Sequence, residues 1–560
     1  MSKRAGLALL LAAAALFLIL NHAAYKGYFQ DDDLDTLSWT RLTPATTYFS
    51  YLVTPQFSTR NFRPMAHLYY FVTNKWFGLD FSKYLIPLHV LHLLNIWLLW
   101  LLVRKLGVGP LAASAATFFF GFHAVLFDAW WKPMYVFDLM CATLCLACLL
   151  LYVSDRWILS LIAFCLAYKS KELAIVLPLV LACYEWLLGT RRWKRLVPFL
   201  VISVLFGVQG MLDQPDRGID YKLRLSPEAQ AATVELYSSQ LFFLPFAGLG
   251  LLLLPFVIRD RRLWFGFAIA SLFLFPLLLL PGRLFAVYWY LPLTGVALMF
   301  GAVAESRYRA AAVVFLLLWI PWDFLHFRES RRLNERLERQ NRAYVTELLS
   351  FIHSAPDQRQ FVFDYLPDGF HRWGVRGALV YTYPRGIQMK SIDEPGAQDL
   401  INSGEAAWLH WDRSRRQLDI VRYARTEQVE PYLAMEPNTP PTQLLTGWYT
   451  LEDNLRWTEP HATATLARPE GAREFEIVVS VPPDQIRHCG TVNLRILLNG
   501  QPLGEHSFTA AGLQNVRWHL PKGPAGTAHI EFQTKPSYPG PNGDLRVFGV
   551  SVKAFGFVMQ

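Results

Sequence analysis

Within the stretch QDDDLD, Asp31, Asp32, Asp33 and Asp35 crowd carboxylates onto one short turn. Like charges at that spacing repel, which raises at least one carboxyl pKa toward the range where it can exchange a proton. The cluster reads either as a solvated collar or helix N-cap, or as a general base that takes a proton from an acceptor hydroxyl or holds a divalent cation. Elsewhere stand groups of opposite sign: Arg60 and Arg63 in TRNFRP, Lys132, Lys169 and Lys171 in YKSKE, and Arg283 in PGRLFAVYWY. Taken singly each is a headgroup anchor or an ion-pair partner. Gathered around a carboxylate, they suit group transfer from a phosphate-bearing donor. No His or Cys constellation demands a metal.

The elements that must position these groups are apolar. Runs long enough to span a bilayer occur at 6–21, 84–103, 111–127, 134–153, 157–168, 173–188, 196–212, 234–258, 263–281, 284–303 and 310–325, which predicts about eleven transmembrane helices. Lys3 and Arg4 precede the first run, and no small-residue cleavage site follows it, so it reads as a retained signal anchor. With the N-terminus cytoplasmic, Arg104, Arg156, the RRWKR cluster, Arg259 to Arg262 and Arg307 all fall inside, as the positive-inside bias requires. The same threading puts the first loop (23–83), His123 to Lys132, Tyr168 to Glu172, Asp213 to Ala232 and Arg283 outside, together with everything after residue 326.

The chain is 53% hydrophobic overall, a mean of a very apolar first part and an ordinary second part. Its net charge of +9 lies largely between apolar runs, where it sets orientation, and this argues against a nucleic-acid partner. Five of six cysteines lie in apolar segments, and Cys141, Cys145 and Cys148 share a helical face as packing residues. FRESRRLNERLERQN continues the last span as a helix with a solvated charged face. Residues 327–435 read as a small extracytoplasmic α/β layer: a strand in QFVFDYL, a helix in RWGVRGALVYTY, and the paired strands AAWLHW and QLDIVRY. Residues 444–560 alternate with period two around an Asn499-Gly500 turn, a β-sandwich of jelly-roll type. Its Trp448, Tyr449, Trp457 and Trp518 are either core or a carbohydrate-binding surface.

DDD after the first span, NFRPMAHLYYFVTNKWFGLD, HVLHLLNIWLLW, FHAVLFDAWW and YKSKELAIVLPLVLACYEW occur in an order that resembles the GT-C membrane glycosyltransferases, and within them bacterial relatives of the transmembrane and tetratricopeptide-repeat O-mannosyltransferases. The resemblance covers roughly residues 1 to 310 of a membrane domain spanning 1–326, and implies a sugar donor carried on a polyprenyl phosphate, attacked by an acceptor hydroxyl at the outer face of the cytoplasmic membrane. It implies an Asp of the first loop as general base, here Asp31, Asp32 or Asp33, and a second acidic position at Asp128, where the family's Pro and Glu are missing. Arg63, Lys169, Lys171, Glu172, Arg283, Tyr288 and Tyr290 then fall where the donor phosphate binds. No 34-residue self-similarity follows the membrane part, so the acceptor stays open among protein, glycan and lipid. Membrane lipids are the other expected partners. A non-catalytic cell-envelope scaffold and a lipid or solute transporter are the competing readings; the second is disfavoured because the charges lie in loops.

Overall fold

The computed structural model describes residues 3–54, 62–212, 224, 226–383, 386–423, 429–436, 441–540 and 546–559; Arg60 lies outside them. The apolar runs fold mainly as helix, since a backbone in lipid must satisfy its own hydrogen bonds. Among the described residues six helices are long and apolar enough to cross a membrane unbroken, and eight spans result if two bent pairs are counted. The chain is a multi-pass membrane protein.

The difference from eleven has local causes. Leu11–Lys26 and Trp157–Tyr168 are apolar helices shorter than a full span, and Leu177–Leu187 has 11 residues. Pro110–Phe122 and Ala124–Trp131 meet at a 46° bend, and Pro227–Phe242 meets Ala247–Val257 at 86°. The second break follows from Phe243 and Phe246, which take φ of 56° and 57°. At the first break, the freed N–H of Ala124 donates to Asp323 Oδ1 at 2.9 Å, and His123 Nδ1 lies 3.4 Å from the same oxygen. A buried carboxylate thus replaces the lost helical acceptor, and the short helix beyond the break carries Asp128 and leads to Lys132.

The chain divides into two compact units, one of residues 1–342 with 368–384, the other of 343–367 with 385–560. The 46-residue helix Arg309–Ser354 contributes to both. Its charged stretch is not solvated all round: Asn334, Glu338 and Asn341 are at most 5% exposed, and their spacing of four and three places them on one face. Helix Arg372–Thr382, which the sequence suggests belongs to the α/β layer, is counted with the first unit.

In the second unit, β1 (Gln360–Phe363) lies between β2 (Gln388–Ser391) and β3 (Ala406–Asp412), parallel to both, and β4 (Gln417–Val421) pairs antiparallel with β3. This is the small α/β layer. Strands β5 (Tyr432–Ala434), β6 (Leu444–Glu452), β7 (Leu455–Arg468), β8 (Glu474–Val481), β9 (Val492–Leu498), β10 (Gln501–Phe508), β11 (Gly512–His519) and β12 (Gly526–Lys535) follow, then a short pair, β13 (Tyr538–Pro539) with β14 (Val547–Phe548), and last β15 (Ser551–Val558). Nine of them form one antiparallel sheet whose main path runs β10-β9-β12-β7-β15-β8-β11. It curls until its outer strands meet, because a Cβ on Gly504 of β10 would lie 2.1 Å from Trp518 of β11. The expected sandwich is therefore nearly closed into a barrel, which covers its edges. Asn499 and Gly500, at φ 51° and 76°, make the tight turn between β9 and β10.

Candidate functional site

The acidic turn sorts its carboxylates by position. Asp32 is the N-cap of helix Asp33–Leu42, and Asp33 and Asp35 occupy its first turn, where the helix dipole favours negative charge. Asp33 is fully buried, accepts from Tyr70 Oη at 2.8 Å and takes the backbone N–H of Gln30 at 3.1 Å. Burial pushes its pKa up to about 7, against the pull of those hydrogen bonds. It locks the turn from inside. Asp31 takes φ of 43°, a left-handed conformation that Asp tolerates, and it and Asp32 remain on the outer side.

These two face a mixed-charge mouth. Lys132 Nζ lies 3.3 Å from Asp31 and 3.7 Å from Asp128, so one ammonium bridges the first and second acidic positions. Burial disfavours the Lys132 charge, but Asp128 and Asp31 more than offset this and hold its pKa above the usual value. His371 Nε2 stands 3.9 Å from Asp31. Crowding of protein atoms around the Asp32 carboxyl raises its pKa, with Asp31 acting the same way, while Trp373, Arg283 and His371 oppose them. A carboxylate so balanced suits proton exchange. Among the described residues no three His, Cys, Asp or Glu side chains gather as a metal site; Lys132 sits where a cation would bridge Asp31 and Asp128.

The residues expected to hold a donor phosphate fall into a different pattern. Arg63 binds Glu172 through two nitrogens, at 2.8 and 3.0 Å, and this pairing overcomes burial to hold the Glu172 pKa below its usual value. Lys171 Nζ contacts Asp138 at 2.5 Å and lies 4.8 Å from the centre of the Tyr288 ring. Tyr290 is buried, its hydroxyl shared between His92 at 2.7 Å and Asn95 at 3.1 Å. Tyr288, Tyr290, Lys171, Asp138 and Cys141 line one narrow cleft. Lys169 donates to the carbonyl of Thr54 at 3.0 Å, and burial lowers its pKa to about 8. Arg283 acts on Asp32 through its charge. Tyr135 lies within electrostatic reach of Asp31, Asp128 and Asp138, so the mouth and the paired charges adjoin.

Three contributors escape a reading of local sequence. Glu338 accepts from Gln30 Nε2 at 3.1 Å and from Trp131 Nε1 at 2.7 Å, fastening the residues just before Asp31 and Lys132. His371 and Trp373 arrive from far along the chain. The only local signal for them is a His and a Trp flanking Arg372 at the start of a helix. The β-domain aromatics that read as either core or a carbohydrate-binding surface pack against their neighbours: Trp448 is 1% exposed and donates to Thr463, Trp518 adjoins the barrel core, and Trp457 and Tyr449 pack on Phe548. Cys141, Cys145 and Cys148 are buried between helices, Cys148 Sγ 3.1 Å from Ser160 Oγ.

The chain matches no protein-family model and no curated protein. Among solved structures it is similar to the oligosaccharyltransferase of Archaeoglobus fulgidus in the apo form, at 11% identity and a TM-score of 0.50, over 100% of this chain and 98% of that one. ArnT from Cupriavidus metallidurans, bound to undecaprenyl phosphate, is 16% identical with a TM-score of 0.44, over 74% of this chain and 94% of the other. The arabinofuranosyltransferase AftD from Mycobacteria is 10% identical with a TM-score of 0.42, over 100% and 62%. The likeness to the oligosaccharyltransferase is one of fold: a helical membrane part followed by a β-rich part.

Proposed function

We propose that the protein is a membrane glycosyltransferase that moves a sugar from a polyprenyl-phosphate donor to an acceptor hydroxyl at the outer face of the cytoplasmic membrane. The observation that carries the reading is the outer turn where Asp31 and Asp32 stand beside Lys132, Arg283 and His371. The fold shared with an oligosaccharyltransferase supports it.

In this reading Asp32 is the general base. It lies at the surface, is not tied to Lys132, and has a proton affinity raised by its surroundings. Asp31, held by Lys132, keeps that lysine between itself and Asp128. Arg283 and Lys132 supply positive charge to the departing phosphate, whose negative charge grows as the glycosidic bond breaks. Arg63–Glu172 and Lys171–Asp138 hold the loops under that position. A cytoplasmic N-terminus would then put the β-rich part on the acceptor side.

The test is transfer of labelled sugar from a polyprenyl-phosphate donor by the full chain in native membranes. Asp32→Asn is expected to abolish most transfer while Asp33→Asn leaves a measurable rate. Normal transfer by Asp32→Asn would remove the base assignment, and no transfer by the wild type from a panel of such donors would remove the transferase reading.

A further inference from the structure

We propose that the stacked rings of His371 and Trp373 form a platform for a sugar ring of the acceptor, so that the acceptor is a saccharide; this rests on the transferase reading. The two rings lie 4.4 Å apart and 22° from parallel. Both reach solvent, with Trp373 at 44% and the His371 side chain at 48% exposure. A large aromatic surface left open yet stacked on a neighbour has a fixed orientation before any ligand arrives, so little rotamer freedom is lost when one binds.

Its edge is what separates it from an ordinary membrane-interface tryptophan. The Trp373 indole interacts with Asp32, and His371 lies 3.9 Å from Asp31, so the platform borders the two carboxylates at the mouth. A pyranose has one face rich in C–H groups and a rim of hydroxyls. The face fits an indole, and the rim needs acceptors such as carboxylates. A ring laid on Trp373 presents its rim to Asp32, the group proposed to take the acceptor proton. A flexible Ser or Thr side chain would leave the platform without an occupant.

The rest of the segment anchors the platform. A Cβ on Gly377 would lie 2.4 Å from the backbone of Leu34, so only glycine lets helix Arg372–Thr382 rest directly on helix Asp33–Leu42. Tyr381 Oη donates to Asn74 at 2.9 Å, Arg41 lies over the Tyr381 ring at 4.8 Å, and Arg336 pairs with Asp368 at 3.2 Å.

The test uses the full chain in lipid nanodiscs and saturation-transfer NMR with methyl mannopyranoside, methyl glucopyranoside and methyl galactopyranoside. At least one glycoside is expected to bind the wild type through its ring protons, with affinity at least tenfold lower in Trp373→Ala and largely kept in Trp373→Phe. Absence of binding by all three, or equal binding by Trp373→Ala, overturns the platform whatever the transfer assay shows. In that assay, transfer to a Ser/Thr peptide but to no saccharide also overturns it. Failure of transfer in the presence of Trp373-dependent binding sinks the transferase reading alone.

Discussion

Beside the narrow cleft, every carboxylate has a cation of its own: Glu172 has Arg63 and Asp138 has Lys171. At the mouth, Asp31 and Asp128 share Lys132, while Asp32 has the Trp373 indole beside it and the charges of Arg283 and His371. The same residue types therefore do two jobs in one unit. A pairwise-matched cluster is electrostatically complete before a ligand arrives, and its free energy goes into holding loops. A cluster with surplus carboxylate has raised proton affinity and room for a substrate to change its charge state.

The contrast breaks most visibly at Asp32. Asp32→Asn is expected to lower kcat for transfer about 10²–10⁴-fold, the usual range for a lost general base, whereas Asp138→Asn acts mainly through stability. Steady-state kinetics beside thermal melts of both variants would reverse the assignment if Asp138→Asn alone abolished turnover in a normally folded protein.

Next is the pH dependence set by Asp33. Its folded pKa, about 7, lies above the ordinary carboxylate value because it is buried. The folded state therefore binds the proton more tightly, so this contribution to stability is full below about pH 4 and is lost as pH rises through 7, on the order of 4 kcal/mol. Asp33→Asn should flatten that fall. Identical melting-temperature profiles for the variant and the wild type between pH 4 and 8 would contradict it.

A smaller effect is expected behind the mouth. Glu338→Ala strands two buried donors, Gln30 Nε2 and Trp131 Nε1, at a cost of about 2 kcal/mol, while Glu338→Gln keeps an accepting oxygen and most of the stability. Equal melting temperatures for the two variants would dismiss the role. The smallest effect belongs to the half-buried Arg63–Glu172 pair. A double-mutant cycle with Arg63→Gln and Glu172→Gln should show coupling of about 1 kcal/mol that weakens in high salt, and salt-independent coupling would argue against an ion pair.

Hydrophobic runs made the helical part legible, because length and composition suffice to mark a helix in lipid, and period-two alternation did the same for the β-domain. The breaks at His123 and Phe243 were not legible, since the first depends on Asp323, 199 residues from Ala124. Asp31, Asp32 and Asp128 stood out as charges beside apolar segments, but their sorting into a lock and a mouth depends on Tyr70 and Lys132, distant in sequence. Glu338 reads as one more solvated charge in a helix rich in them. Helix periodicity says which residues share a face, and only packing says which face is covered.

The segment 368–384 also decides what can be taken apart. A chain ended at residue 342 keeps every apolar span and loses His371, Trp373 and the glycine contact at 377, while a chain begun at 343 carries that segment away from the helix it rests on. Order along the polypeptide and membership of a working part do not coincide here. Exchange of the β-rich region between relatives would preserve function only where the junction falls after residue 384.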